Sequence, residues 1–183
     1  EYLTRSANKK DLVQRLRTIV DALSDDEVEA HSPDYPGLGR LSSEFVKDKY
    51  LKHKDKEVRL YTVLACMAIF RLYVPEPPYD ENEILKIFAQ VIQQLSNLSN
   101  CTSPTQPNFT QYYKLLEELA ICNTGVVLAD MIKTLDTETE LDSSNAEMDR
   151  DGDFPTSDQA LETLTELIEV LLNRVTVEHP SEV

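Results

Sequence analysis

The chain has no tryptophan, only four glycines and only three histidines among its 183 residues. With so little glycine there is no phosphate-cradling loop, and neither a GxSxG elbow nor an HExxH pair occurs. His31, His53 and His179 are scattered over loops and helix ends, and no candidate nucleophile stands beside a histidine and an acid. Those absences predict a protein that is not an enzyme and needs neither cofactor nor metal. Cysteine is scarce too: Cys66, Cys101 and Cys122 make an odd number without a CxxC spacing, and Cys66 and Cys122 lie in apolar runs where a thiol behaves as a small hydrophobe. Reduced thiols are expected. No apolar run approaches the roughly 18 residues of a membrane-spanning helix, and the opening EYLTRSANKK lacks a signal-peptide apolar stretch, so a soluble, intracellular chain is expected.

Basic residues are also short. Eighteen Lys and Arg against 33 Asp and Glu give a net charge of −15 and a pI near 4.5. That balance argues against nucleic acid or an anionic membrane as the main partner, and suits a basic or extended peptide. The 41% of hydrophobic residues suffices for a real core, so residues 1–183 read as one domain or one segment of a repeat array. Abundant Leu, Ile, Glu and Gln predict an all-α chain.

Hydrophobic periodicity divides the chain. Asn8 caps a predicted helix over 8–24 with Leu12, Leu16, Ile19, Val20 and Leu23 on one face. A polar link with Pro33, Pro36 and Gly37 follows, and its His31 beside Asp34 has no second ligand at useful spacing. A second helix is expected over 38–53 with Leu38, Leu41, Phe45 and Leu51 inward. Its end and the following turn carry Lys47, Lys49, Lys52, Lys54, Lys56 and Arg59, the one local basic patch, with two readings: a solvated turn, or weak contact with a phosphate backbone.

Asp55 caps the helix on which the chain turns. From Val58 to Leu72 apolar residues cover most of its circumference, so it must be covered on two sides, as in the middle of a helical stack. It runs into VPEPPY, where Pro75, Pro77 and Pro78 impose a stiff extended segment. A helix starting near Asp80 puts Ile84, Ile87, Phe88, Val91, Ile92 and Leu95 inward. A polar loop with sequons at Asn97, Asn100 and Asn108, read as chance matches, leads to a helix over 109–122 with Tyr112, Leu115, Leu116, Leu119 and Ala120 in phase. Gly125 is expected to mark a break before a short helix. Residues 136–155, with eight acids and one arginine, are expected to form a flexible acidic loop; a partial EF-hand pattern over 147–158 fails at its first, ninth and twelfth places. A last helix, capped by Ser157 or Asp158, carries Leu161, Leu164, Leu167, Ile168, Leu171 and Leu172 and is expected to pack on a further repeat, with the chain stopping mid-architecture.

The stretch DKEVRLYTVLACMAIFRLYVPEPPYDENEILKIFAQVIQQL resembles the N-terminal region of the Pds-five family, the HEAT-repeat regulators of cohesin, and NFTQYYKLLEELA is similar to a later run of that family. DLVQRLRTIV and LSSEFV match more weakly, so the likeness covers about residues 8–125 well and the last helix loosely. Two features depart from it: Val74 and Pro77 stand where the family's Ala-Pro-Glu-Ala-Pro-Tyr has alanines, and the acidic insert is long.

The resemblance implies HEAT-like antiparallel helix pairs forming the N-terminal part of an α-solenoid in a nuclear, chromatin-associated protein of sister-chromatid cohesion. It implies partners in the cohesin complex, with the kleisin subunit held mainly by later repeats, and short Tyr-Ser-Arg-type motifs of the Wapl release factor and its antagonist sororin. The implied receptor is Tyr73, Val74, Pro75, Glu76, Pro77, Pro78 and Tyr79. The residue chemistry is compatible: prolines stiffen the segment and leave carbonyls free, Glu76 offers a carboxylate to an arginine, and Tyr73 and Tyr79 offer aromatic walls. Two other readings are an inter-helix turn within a structural cap that has no ligand, and nucleic-acid contact through the basic patch. No membrane partner is expected.

Overall fold

The computed structural model describes residues 8–24, 37–73, 76–98, 101, 103–142 and 155–174. They form eight helices: α1 (Lys9–Leu23), α2 (Leu38–Phe45), α3 (Asp48–Leu51), α4 (Lys56–Tyr73), α5 (Glu81–Leu95), α6 (Phe109–Ile121), α7 (Thr124–Asp142) and α8 (Ser157–Arg174). Among the described residues there is no strand. His31 and the rest of the first link fall outside them, as do His179 and most of the EF-hand-like stretch.

α4 is the hub. Thirteen of its 18 residues are buried, from Val58 to Leu72, because α1, α2, α3, α5 and α6 all pack on it. Its N-terminus is capped as expected: Asp55 Oδ1 accepts the Glu57 N–H at 3.0 Å, and Lys9 from α1 reaches the same carboxylate at 2.7 Å. α1 starts at the expected cap, with Asn8 Oδ1 accepting the Asp11 N–H at 3.0 Å, and buries Leu16, Val20 and Leu23. α5 buries Ile84, Ile87, Phe88, Val91 and Leu95, and packs on α8 as well as α4. α8 and α7 pack on each other.

The helix expected over 38–53 is two helices. Lys47 adopts an extended conformation (φ −69°, ψ 141°) between α2 and α3. In one continuous helix, positions 45 and 50 would lie about 140° apart around the axis. The break instead lets both Phe45 and Tyr50 turn inward, with their rings meeting edge to face at 6.3 Å.

Three other expectations change. Gly125 lies inside the first turn of α7, and the chain reverses one position before that helix starts, at Asn123, whose φ is +48°. Asparagine tolerates this left-handed conformation better than most residues. Second, α7 continues to Asp142, well into the stretch expected to be a loop. Residues 143–154 of that stretch lie outside the described residues. Third, the cap of α8 is Thr156 rather than Ser157 or Asp158: its Oγ1 accepts the Gln159 N–H at 3.2 Å, while the Gln159 side chain accepts the Thr156 N–H at 2.9 Å.

α8 buries only part of its apolar stripe. Ala160 and Leu167 are covered, Leu164 and Leu171 are half-buried, and Leu161, Ile168 and Leu172 are exposed. The exposed three share a stripe about 100° around the helix from Ala160 and Leu167, beyond the arc that α5 and α7 cover.

Candidate functional site

The segment after α4 is short and is tied at both ends. The Glu76 N–H donates to the Tyr73 carbonyl oxygen at 2.8 Å, closing a turn on the last residue of the helix. Tyr73, Pro77 and Pro78 are half-buried and Glu76 is exposed, while Val74 and Pro75 lie outside the described residues. Asp80 then caps α5 in a reciprocal box, accepting the Glu83 N–H at 2.8 Å while Glu83 accepts the Asp80 N–H at 3.2 Å.

Tyr79 does not offer an aromatic wall. It is 7% exposed, its ring stacks on Phe70 at 6.3 Å and 20°, and its hydroxyl donates to the Cys66 carbonyl oxygen at 3.4 Å. Phe70 in turn meets Phe88 edge-on at 6.2 Å, so the Tyr79 ring belongs to the α4–α5 core. Burial holds the Tyr79 phenol well above its ordinary pKa and pushes the Cys66 thiol up to about 12. Both groups stay neutral in any physiological range.

One turn before the segment lies a pair that periodicity alone did not single out. Glu118, 5% exposed, receives Arg71 Nε on Oε2 at 3.1 Å, and Arg71 Nη2 donates to the Leu23 carbonyl oxygen at 3.0 Å. The pair thus joins the C-terminal ends of α1, α4 and α6. Burial raises the Glu118 pKa, with Arg71 opposing the rise. The signal was present in the sequence: position 118 lies in phase with Leu115, Leu119 and Cys122, and a glutamate there needs a buried cation. Ala120, expected on that face, is exposed.

Half of the basic patch pairs with carboxylates. Lys47 and Lys49 both pair with Glu44, and Lys52 pairs with Asp48 at 3.0 Å. The two lysines hold the Glu44 carboxyl below its ordinary pKa. Arg59 turns inward to the His53 carbonyl oxygen at 2.5 Å. Lys54 and Lys56 are exposed, and Lys56 borders a cleft of about 210 Å³ together with Asn97, Cys101, Gln106, Pro107, Asn108 and Tyr112. In its wall the Cys101 thiol donates to the Pro107 carbonyl oxygen at 3.6 Å. All three cysteines are free and buried. The sequon residue Asn97 donates to the Gln93 carbonyl oxygen at 3.0 Å, and Asn108 holds the left-handed turn before α6 at φ 64°. Among the described residues no three His, Cys, Asp or Glu cluster as metal ligands, and no helix is long and apolar enough to cross a membrane.

Comparison with known proteins adds an independent line. The profile of the family described as "Sister chromatid cohesion protein PDS5 protein" matches residues 10–176. Sister chromatid cohesion protein PDS5 homolog B of Homo sapiens is 35% identical over 114 residues, covering 62% of this chain and 8% of the relative. PDS5 homolog A-A of Xenopus laevis is 35% identical over 122 residues, covering 64% of this chain and 9% of the relative. The chain therefore spans under a tenth of the length of these curated relatives. A chain from a solved structure of the Pds5–Scc1 complex superposes on it with a TM-score of 0.59 at 26% identity, over 90% of this chain and 24% of that one.

Proposed function

The chain belongs to the PDS5 family of sister chromatid cohesion proteins, with an all-α fold of HEAT-repeat type, and from that premise we propose that it is a non-catalytic scaffold module that docks short arginine-containing motifs of cohesin regulators on the segment after α4. The observation that carries the reading is the placement of Glu76. It stands exposed between a backbone turn and two prolines, and no cation pairs with it among the described residues. A stiff segment with a solvent-facing carboxylate loses little entropy on binding an extended peptide and can receive a guanidinium on two oxygens. Motifs of the Wapl and sororin kind are the proposed ligands, a cohesin assembly containing Scc1 is the proposed setting, and chromatin in the nucleus is the proposed location. Lys47, Lys49 and Lys52 pair with Glu44 and Asp48, which weakens the nucleic-acid reading, while Lys54 and Lys56 stay exposed.

Titration with a peptide containing Tyr-Ser-Arg tests the proposal. Saturable binding is expected, and Glu76→Lys is expected to weaken it by about 10- to 100-fold, the weight of one charge-assisted hydrogen bond. Unchanged affinity with intact helicity would sink the role of Glu76. A protein that shows no saturable shift at residues 73–79 is the structural cap instead.

A further inference from the structure

We propose that Pro77 and Pro78 act as a strut that transmits the position of the buried Tyr79 ring to the exposed Glu76 carboxylate, making Tyr79 a positioning residue for peptide docking. The inference rests on the docking reading above and adds a cause for its geometry. Exposed side chains on inter-helix segments ordinarily sample many backbone states, and each must be given up on binding. Here the two residues between Glu76 and Tyr79 are both prolines, with φ fixed by their rings. Whatever fixes Tyr79 therefore limits where Glu76 can stand.

Tyr79 is fixed by two contacts on different parts of its side chain: the ring stacks on Phe70 at 6.3 Å, and the hydroxyl reaches the Cys66 carbonyl oxygen at 3.4 Å. Cys66 and Phe70 are both fully buried in α4, so the anchor point is the most enclosed helix of the fold. On the other side of Glu76, its N–H is held by Tyr73, the last residue of that same helix. The backbone that carries Glu76 is thus tied to α4 on both sides.

The test uses Tyr79→Phe, which keeps the ring and removes the hydroxyl, and Pro77→Ala, which keeps the Tyr79 contacts and loosens the strut. Each is made alone and combined with Glu76→Gln. Two quantities are read: affinity for the Tyr-Ser-Arg peptide, and amide exchange of the Glu76 N–H against that of the Glu83 N–H in the α5 cap. Each variant is expected to speed exchange at Glu76 but not at Glu83. Each is also expected to weaken binding by about three- to tenfold in the wild-type background but by less than about twofold beside Glu76→Gln, since the loss acts through that carboxylate. Unaltered exchange at Glu76, or losses that simply add to that of Glu76→Gln, overturn the strut while leaving the docking reading intact. Peptide affinity indifferent to Glu76→Gln overturns both.

Discussion

Replacing Arg71 with methionine isolates a buried ion pair that, with the Arg71 bond to the Leu23 carbonyl, joins three helices. The side chain of Glu118 is 6% exposed and that of Arg71 22%, with 3.1 Å between Nε and Oε2. At an effective dielectric near 20, that separation is worth about 5 kcal/mol of gross attraction, most of it offset by desolvation of both groups. Removing one partner leaves the carboxylate uncompensated, which costs about 3–5 kcal/mol in buried pairs, and the partial exposure of Arg71 places this case near about 3 kcal/mol. For a chain of this size the melting temperature should fall by about 6–12 °C. The pH dependence follows from the direction of the Glu118 shift. Its folded pKa lies above the ordinary 4.5, so this group favours folding below that value, and its contribution is lost as pH rises through the raised pKa. Without Arg71 the rise is larger. The stability gap between Arg71→Met and wild type should therefore be widest near about pH 8 and shrink toward about pH 4, as Glu118 takes up its proton. Urea denaturation across that range measures it. In the double variant Arg71→Met/Glu118→Leu, which removes both charges, stability should return to within about 1 kcal/mol of wild type. A gap that does not change with pH, or a loss under about 1 kcal/mol for Arg71→Met, refutes the argument.

Two further outcomes are expected. Asp80→Ala removes the side-chain half of the reciprocal cap of α5 and should cost about 1 kcal/mol by chemical denaturation with no loss of helix elsewhere; a neutral result would mean that the box contributes nothing. Because burial lifts the Cys66 thiol to about 12 and the side chain has no exposed surface, a soluble thiol reagent near about pH 8 should label Cys66 only when the protein opens, and fast stoichiometric labelling of the native chain would contradict its place in the core.

How much of this was legible beforehand depends on whether the signal was local. The caps at Asn8 and Asp55 are legible from single residues, because a cap needs only its own side chain and the next turn of backbone. The central place of α4 was legible from its all-round apolarity, since no helix of that kind is stable with one face in water. The apolar stripe of α8 is legible in the sequence, but which of its residues stay exposed is not, because periodicity reports that a face is apolar without reporting how wide an arc its neighbours cover.

The candidate segment divides in the same way. That φ is fixed at Pro77 and Pro78 follows from the ring chemistry of proline, and that the segment joins two helices follows from the patterns on either side. Which side chains face outward does not follow. Tyr73 and Tyr79 lie three positions either side of Glu76, yet Tyr79 is buried, held by Cys66 and Phe70, 13 and nine positions back along the chain. The sequence alone determined an all-α chain built on one enclosed helix that ends in a rigid proline segment, since caps, periodicity and proline geometry are properties of neighbouring residues. Tertiary structure alone decided that Glu76 is exposed, that Tyr79 is buried, and that Glu118 finds Arg71 across 47 positions of chain, because each depends on how the helices pack.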